Sequence, residues 1–155
     1  MNTEELFAAL RTEDTAKIKE ILSANPTLIN DRDTRGSTLL LLATYYGNIE
    51  VTNTILEFNP DVNAKDASGN TALMGVCFKG YTEIANLLIK HNADVNLANG
   101  NGGTALIFAA TFGRTAMVEL LLKNNADKTL KDANGHMAID HARMQKNQEI
   151  VALLS

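Results

Sequence analysis

A single cysteine, Cys77, stands among the 155 residues, so no intrachain disulfide can staple the fold. No apolar stretch approaches the ~20 residues that a membrane-spanning helix requires. Basic residues form no cluster: the densest run is Lys17-Ile18-Lys19, and the net charge is -4 with a pI of about 5.3. A general nucleic-acid binder would present a basic face to neutralise phosphates, and none is visible. The first residues, Met1-Asn2-Thr3-Glu4-Glu5, are acidic where a secretory leader would be basic. A cytoplasmic chain with neither nucleic acid nor membrane among its partners is the expectation. With 45% apolar and 21% charged residues, the balance is that of a folded domain rather than a disordered chain.

What is present is a repeat. Glycines fall at Gly36, Gly69, Gly102 and Gly135, each 33 residues after the last. Thr38, Thr71 and Thr104 follow two residues later, with Met137 in the fourth copy, and a second glycine column runs Gly47, Gly80, Gly113. Apolar columns run Phe7, Leu40, Leu73, Leu106, Ile139 and Ile18, Val51, Ile84, Met117, Ile150. Small residues recur at Ala43, Val76, Ala109 and Ala142. So many columns in register identify a repeat architecture before any local structure is considered.

Each copy decodes to one unit. In the copy that opens at Gly69, the Thr71 hydroxyl is placed to cap a short helix from about residue 72 to 78. Gly80 then breaks the chain, where a left-handed backbone costs glycine little. A second helix is predicted from about residue 81 to 91, with Ile84, Leu87 and Leu88 on one face. Asn92 ends it, as Asn59 and Asn125 do in neighbouring copies, since asparagine tolerates the left-handed region. Asp66-Ala67-Ser68-Gly69 has the composition of a tight turn. Helices of ~8 residues are not stable alone, so every unit depends on its neighbours to cover its apolar faces.

The ends differ. The first copy has Asp14 in the glycine column and charged outer positions, among them Glu4, Glu5, Arg11, Glu13, Lys17 and Lys19; the last has Lys146 in that column. These are read as caps, giving a single domain over 1–155 with repeats at about 3–35, 36–68, 69–101, 102–134 and 135–155.

The pattern resembles the ankyrin repeat. Gly69-Asn70-Thr71-Ala72-Leu73-Met74-Gly75-Val76-Cys77-Phe78-Lys79-Gly80, then Leu87-Leu88, then Asn92-Ala93-Asp94-Val95-Asn96, follows the family's order nearly throughout. The resemblance implies an all-α solenoid of paired antiparallel helices joined by β-turn fingers, with five repeats including the caps. Two features depart from it. Leu39, Ala72, Ala105 and Ala138 replace the family's proline, and Leu41, Met74, Ile107 and Asp140 replace its histidine. The seam between repeats is therefore expected to be more apolar.

The resemblance also implies a protein-binding module, a scaffold, adaptor or regulator, that uses its fingers and concave inner-helix face. Carried onto this chain, that surface holds finger residue Arg35 and two rows at the ends of the inner helices. One row is Tyr45, Phe78, Thr111, Met144; the other is Tyr46, Lys79, Phe112, Gln145. Four of the eight aromatics fall there, and aromatics at exposed positions supply binding energy at low entropy cost. Tyr45 and Phe78 are expected at the surface. For Tyr46 and Phe112, exposure and packing against the unit's own second helix both remain open. The expected partner-binding set is Arg35, Tyr45, Tyr46, Phe78, Lys79, Thr111, Phe112 and Met144, on a monomer whose partner is another protein.

Other chemistry finds little support. The Gly100-Asn101-Gly102-Gly103 stretch lacks the Lys-Ser/Thr of a phosphate loop and reads as a turn. No Gly-x-Ser-x-Gly is present. His136 and His141 lie five apart across a turn rather than at i, i+4, and no third ligand is in sight, so neither metal nor cofactor is expected. Cys77 reads as a packed thiol without a basic neighbour to activate it. Not an enzyme is the reading that follows, with no catalytic residue. The alternatives are a self-associating structural solenoid and, more remotely, an enzyme or small-molecule binder around Asp140 and His141.

Overall fold

A computed structural model describes residues 2–155. Among these residues the chain forms five helix pairs and no extended strand. The pairs are α1 (Thr3–Arg11) with α2 (Thr15–Ala24), α3 (Leu39–Tyr45) with α4 (Ile49–Leu56), and α5 (Ala72–Lys79) with α6 (Thr82–Lys90). They continue with α7 (Ala105–Thr111) and α8 (Thr115–Lys123), then α9 (Ala138–Met144) and α10 (Gln148–Leu154). Odd-numbered helices stack in one row and even-numbered helices in a second, each pair packed on the next. None of the helices is long and apolar enough to cross a membrane.

The helix starts are built as the threonine column implies. Backbone amides of Leu41, Met74 and Ile107 donate to the hydroxyls of Thr38, Thr71 and Thr104. Met137 offers no oxygen, and here Asp140 compensates from inside the helix: its carboxylate accepts the Met137 N–H at 2.8 Å. The helix ends follow the asparagine column, with Asn59, Asn92 and Asn125 all at positive φ. The first pair departs from the sequence register. The left-handed residue is Glu13, at φ 57°, and Asp14 instead caps α2 by accepting the Lys17 amide. The left-handed residue and the cap that follows it, Gly47 and Asn48 in the next copy, both lie one position earlier here, so α2 begins one position early relative to its copies.

Burial runs along the columns. Leu40, Leu73 and Leu106, with Ile18, Val51, Ile84, Met117 and Ile150, are all buried, and so are Ala43, Val76, Ala109 and Ala142. The small side chains of that last column sit where adjacent odd-row helices meet, and allow close approach. Met74 and Ile107, at the family's histidine position, are buried too, which makes the seam apolar as expected, while Leu41 is half-buried.

Between pairs the chain makes a finger held by one side chain. Asp33, Asp66, Asn99 and Asp132 each accept two backbone amides of their own turn through Oδ1, at positions two and four residues on. Neighbouring units are tied by a second ladder, in which Asn30, Asn63 and Asn96 accept the amides of Asp61, Asp94 and Asp127. Fingers also bond directly, with the Gly100 N–H donating to the Ser68 carbonyl at 3.1 Å and the Ala133 N–H to that of Asn101 at 2.9 Å.

These contacts rank the finger glycines. Gly36 and Gly69 share φ +81°, but a Cβ at Gly36 meets nothing within 4 Å, whereas one at Gly69 lies 2.8 Å from the Gly100 backbone nitrogen. Gly36→Ala should cost about 1–2 kcal/mol from the left-handed backbone alone. Gly69→Ala should cost at least ~1 kcal/mol more, because the inter-finger bond must also open. Urea denaturation of the two variants measures the difference; equal losses would show that the finger contact does not matter. Burial pushes the Cys77 thiol well up from its ordinary range, so little thiolate forms. The folded protein should leave a thiol reagent such as Ellman's unreacted, and the unfolded chain should react through Cys77; rapid labelling of the folded form would refute the packing.

Candidate functional site

The exposed ends of the odd-row helices bear the two rows of side chains. Tyr45 closes α3, and Tyr46 follows it; they are 44% and 62% exposed. Phe112 follows α7 at 45%, and Met144 closes α9 at 53%. These four and Ile49 are the large apolar side chains that the described residues leave exposed. Tyr46 and Phe112 are therefore both exposed at the surface. Phe78 is the reverse case. Expected at the surface, it is half-buried, with its ring edge-on to Phe112 at 4.7 Å. Phe108 lies nearly parallel to Phe112, with ring centres 6.4 Å apart. Lys79 is half-buried as well, its ammonium lying 4.6 Å from the centre of the Tyr45 ring.

The rows do not form one uniform face. Tyr45, Phe78, Phe108 and Phe112 line a cleft of about 490 Å³ whose walls include Leu41, Leu42, Met74 and Gly75. Asp66, Asn70 and Ser37 on the finger side give it a polar rim. Arg35 and Tyr46 belong instead to a neighbouring groove that runs between the first finger and α1, with Glu4, Arg11 and Arg32. Thr111 and Met144 line neither, Thr111 half-buried with its hydroxyl donating to the Ile107 carbonyl. The structure thus unites Tyr45, Phe78 and Phe112, and separates Arg35 and Tyr46 from them.

Gly75 is the residue that the sequence reading passed over. It lies inside α5 in ordinary helical backbone, where glycine serves no turn. The equivalent positions are Leu42, Phe108 and His141, so the missing side chain leaves a notch between larger neighbours. A Cβ there would reach only Tyr45, at an ordinary 3.6 Å. Reading the column that follows the family's histidine position would have exposed it, since glycine costs a helix interior ~1 kcal/mol relative to alanine.

The glycine-rich finger behaves as a turn: Asn99 Oδ1 accepts the Asn101 and Gly103 amides, and Asn99 Nδ2 donates to Asn70. Asp140 and His141 do not work together. Asp140 turns to the start of its own helix and to Arg143 at 3.6 Å. His141 reaches back nine residues to Asp132, Nε2 to Oδ2 at 2.6 Å, and its ring meets that of His136 edge-on at 5.5 Å. Asp132 is held below the usual carboxylate range, chiefly by the His136 amide. It is the third polar group beside the two histidines that sequence reasoning did not find; sequence spacing shows no link between a finger carboxylate and a helix histidine.

Two family models cover nearly all of the chain. One, described as ankyrin repeats in three copies, matches residues 6–99. The other, described as ankyrin repeats in many copies, matches residues 88–142. No curated protein matches the sequence. With paired helices, fingers at 33-residue steps and a matching model across more than half of its length, the chain belongs to the ankyrin-repeat family.

Proposed function

We propose that this protein binds a partner protein on the face formed by its fingers and odd-row helices, and that the cleft over Gly75 receives an apolar side chain of that partner. Ankyrin repeats are generally protein–protein interaction modules, typically without catalysis. The observation that carries the finer reading is the notch itself. A glycine inside α5 opens a cleft floored by apolar side chains, beside Tyr45 and Phe112 at the surface. An aromatic or branched aliphatic side chain fits that chemistry: it would bury against Phe78, Phe108 and Leu42, while Asp66 and Asn70 meet the partner's backbone at the rim. Lys79 over Tyr45 holds that ring in place and leaves one positive charge at the edge. Arg35 and Tyr46, in the neighbouring groove, extend the surface toward α1 rather than forming its centre.

Stability and binding should separate at Gly75. Gly75→Ala should raise stability by up to ~1 kcal/mol, because helix propensity improves and the added methyl meets no obstacle. Gly75→Leu should fill the notch and abolish capture of the partner while the helical circular-dichroism spectrum stays unchanged. Tyr45→Ala and Phe112→Ala should each weaken binding by roughly 2 kcal/mol, about thirtyfold, as central aromatic anchors do. A partner isolated with the native chain and measured against these variants checks all three. Undiminished binding by Gly75→Leu and by both aromatic variants would remove the cleft from the interface. Light scattering over a concentration series distinguishes this from self-association through the same rows, which would show mass rising with concentration.

A further inference from the structure

The last repeat carries a donor set that no other repeat has. At the finger position, Asp33, Asp66, Asn99 and Asp132 all do the same structural work. Four residues on, the copies read Ser37, Asn70, Gly103 and His136; on the helix they read Leu42, Gly75, Phe108 and His141. Only the final unit places an imidazole at both positions beside a carboxylate. One ligand atom from each of Asp132, His136 and His141 falls within 4.8 Å of the others.

We infer that Asp132, His136 and His141 form a binding site for a divalent first-row transition-metal ion, with zinc the best-suited. The scaffold fixes two of the donors before any ion arrives. Asp132 Oδ1 is committed to the amides of Asn134 and His136, which leaves Oδ2 directed at His141 Nε2. The Asp132 amide donates in turn to the His136 carbonyl at 2.9 Å, so those two residues are clamped across one turn. His141 is held by the first turns of α9. Tetrahedral zinc with nitrogen and oxygen ligands at ~2.0–2.1 Å spaces its donors about 3.3 Å apart. Capture therefore parts Asp132 Oδ2 from His141 Nε2, now 2.6 Å apart, and draws the His136 ring inward by side-chain rotation. Two imidazoles and one carboxylate suit zinc, cobalt, nickel or copper, not magnesium or calcium, which prefer oxygen donors throughout. The Asp132 and His141 side chains keep 11% and 19% exposure, so the ion has a route in and a fourth position open to water. Bound there, it ties the last finger to α9 and stabilises the α9–α10 pair by mass action.

Calorimetric titration of the untagged full chain with zinc, paired with cobalt and its visible ligand-field absorption, tests the site. One ion per chain should bind, with cobalt bands that zinc displaces. His136→Ala leaves the finger bonds, which use its backbone, and should weaken zinc binding at least about tenfold. Asp132→Asn keeps the turn, as Asn99 does one repeat earlier, and should weaken it similarly. His91→Ala, at an exposed histidine two repeats away, should bind as the native chain does. Absence of saturable binding up to ~1 mM zinc would overturn the inference. So would binding that His91→Ala removes, or that both His136→Ala and Asp132→Asn leave intact.

Discussion

The contact between one repeat and the next is what the remainder of this structure rests on. No helix pair here can cover its own apolar faces, since helices of seven to ten residues do not stand alone. Stability comes from stacking, and stacking needs close approach at two levels. Between helices, Ala43, Val76, Ala109 and Ala142 keep the odd row tight. Between fingers, backbone meets backbone, with Gly69 against Gly100 and Gly102 against Ala133. The asparagine ladder from Asn30 to Asn96 adds a polar tie at the same step. A larger side chain at any of these places acts on two repeats at once.

The long polar side chains that cross between units are part of the same system. Arg114 lies over Gly80 and donates to the Phe78 carbonyl at 3.0 and 3.2 Å, and its side chain would crowd a Cβ on the glycine at 3.1 Å. That bond also anchors the end of α5, and with it the half-buried Phe78 that walls the cleft. Lys65 and Arg32 reach to carbonyls one repeat on, at 2.9 and 2.8 Å. The candidate binding surface is thus a product of the stacking: its spacing is the spacing of the repeats, and its aromatic walls come from three successive units.

Where the chain departs from that regular plan, its local chemistry changes. Gly75 lowers helix propensity in a helix whose two neighbours carry leucine and phenylalanine at the same position, and the notch is the result. In the last unit the same column holds His141, which turns an apolar wall position into a partner for the finger carboxylate. The first helix pair alters its register instead, with Asp14 taking over the helix start and Glu13 the left-handed turn. Gly75 and His141 share one column and the Glu13–Asp14 change falls in another, so the repeats of the solenoid are not equivalent.

Most of the fold was legible in the sequence, because a 33-residue period constrains local backbone and burial at once. Thr38, Thr71 and Thr104 cap helices as read, Asn59, Asn92 and Asn125 take the left-handed conformation, and the apolar columns are the core. Tyr45 lies at the surface as expected; for Tyr46 and Phe112 the sequence left exposure and packing open, and the structure exposes both. What the columns could not state was how side chains from different units meet. Phe78 is half-buried because Phe112, one repeat later, lies on it at 4.7 Å. Asp132 and His141 are nine residues apart and touch because the finger folds back over α9. Periodicity determines each residue's place within its own unit; only the tertiary stacking of units decides which side chains share a cleft or a charge, since those contacts depend on the rotation and rise from one repeat to the next.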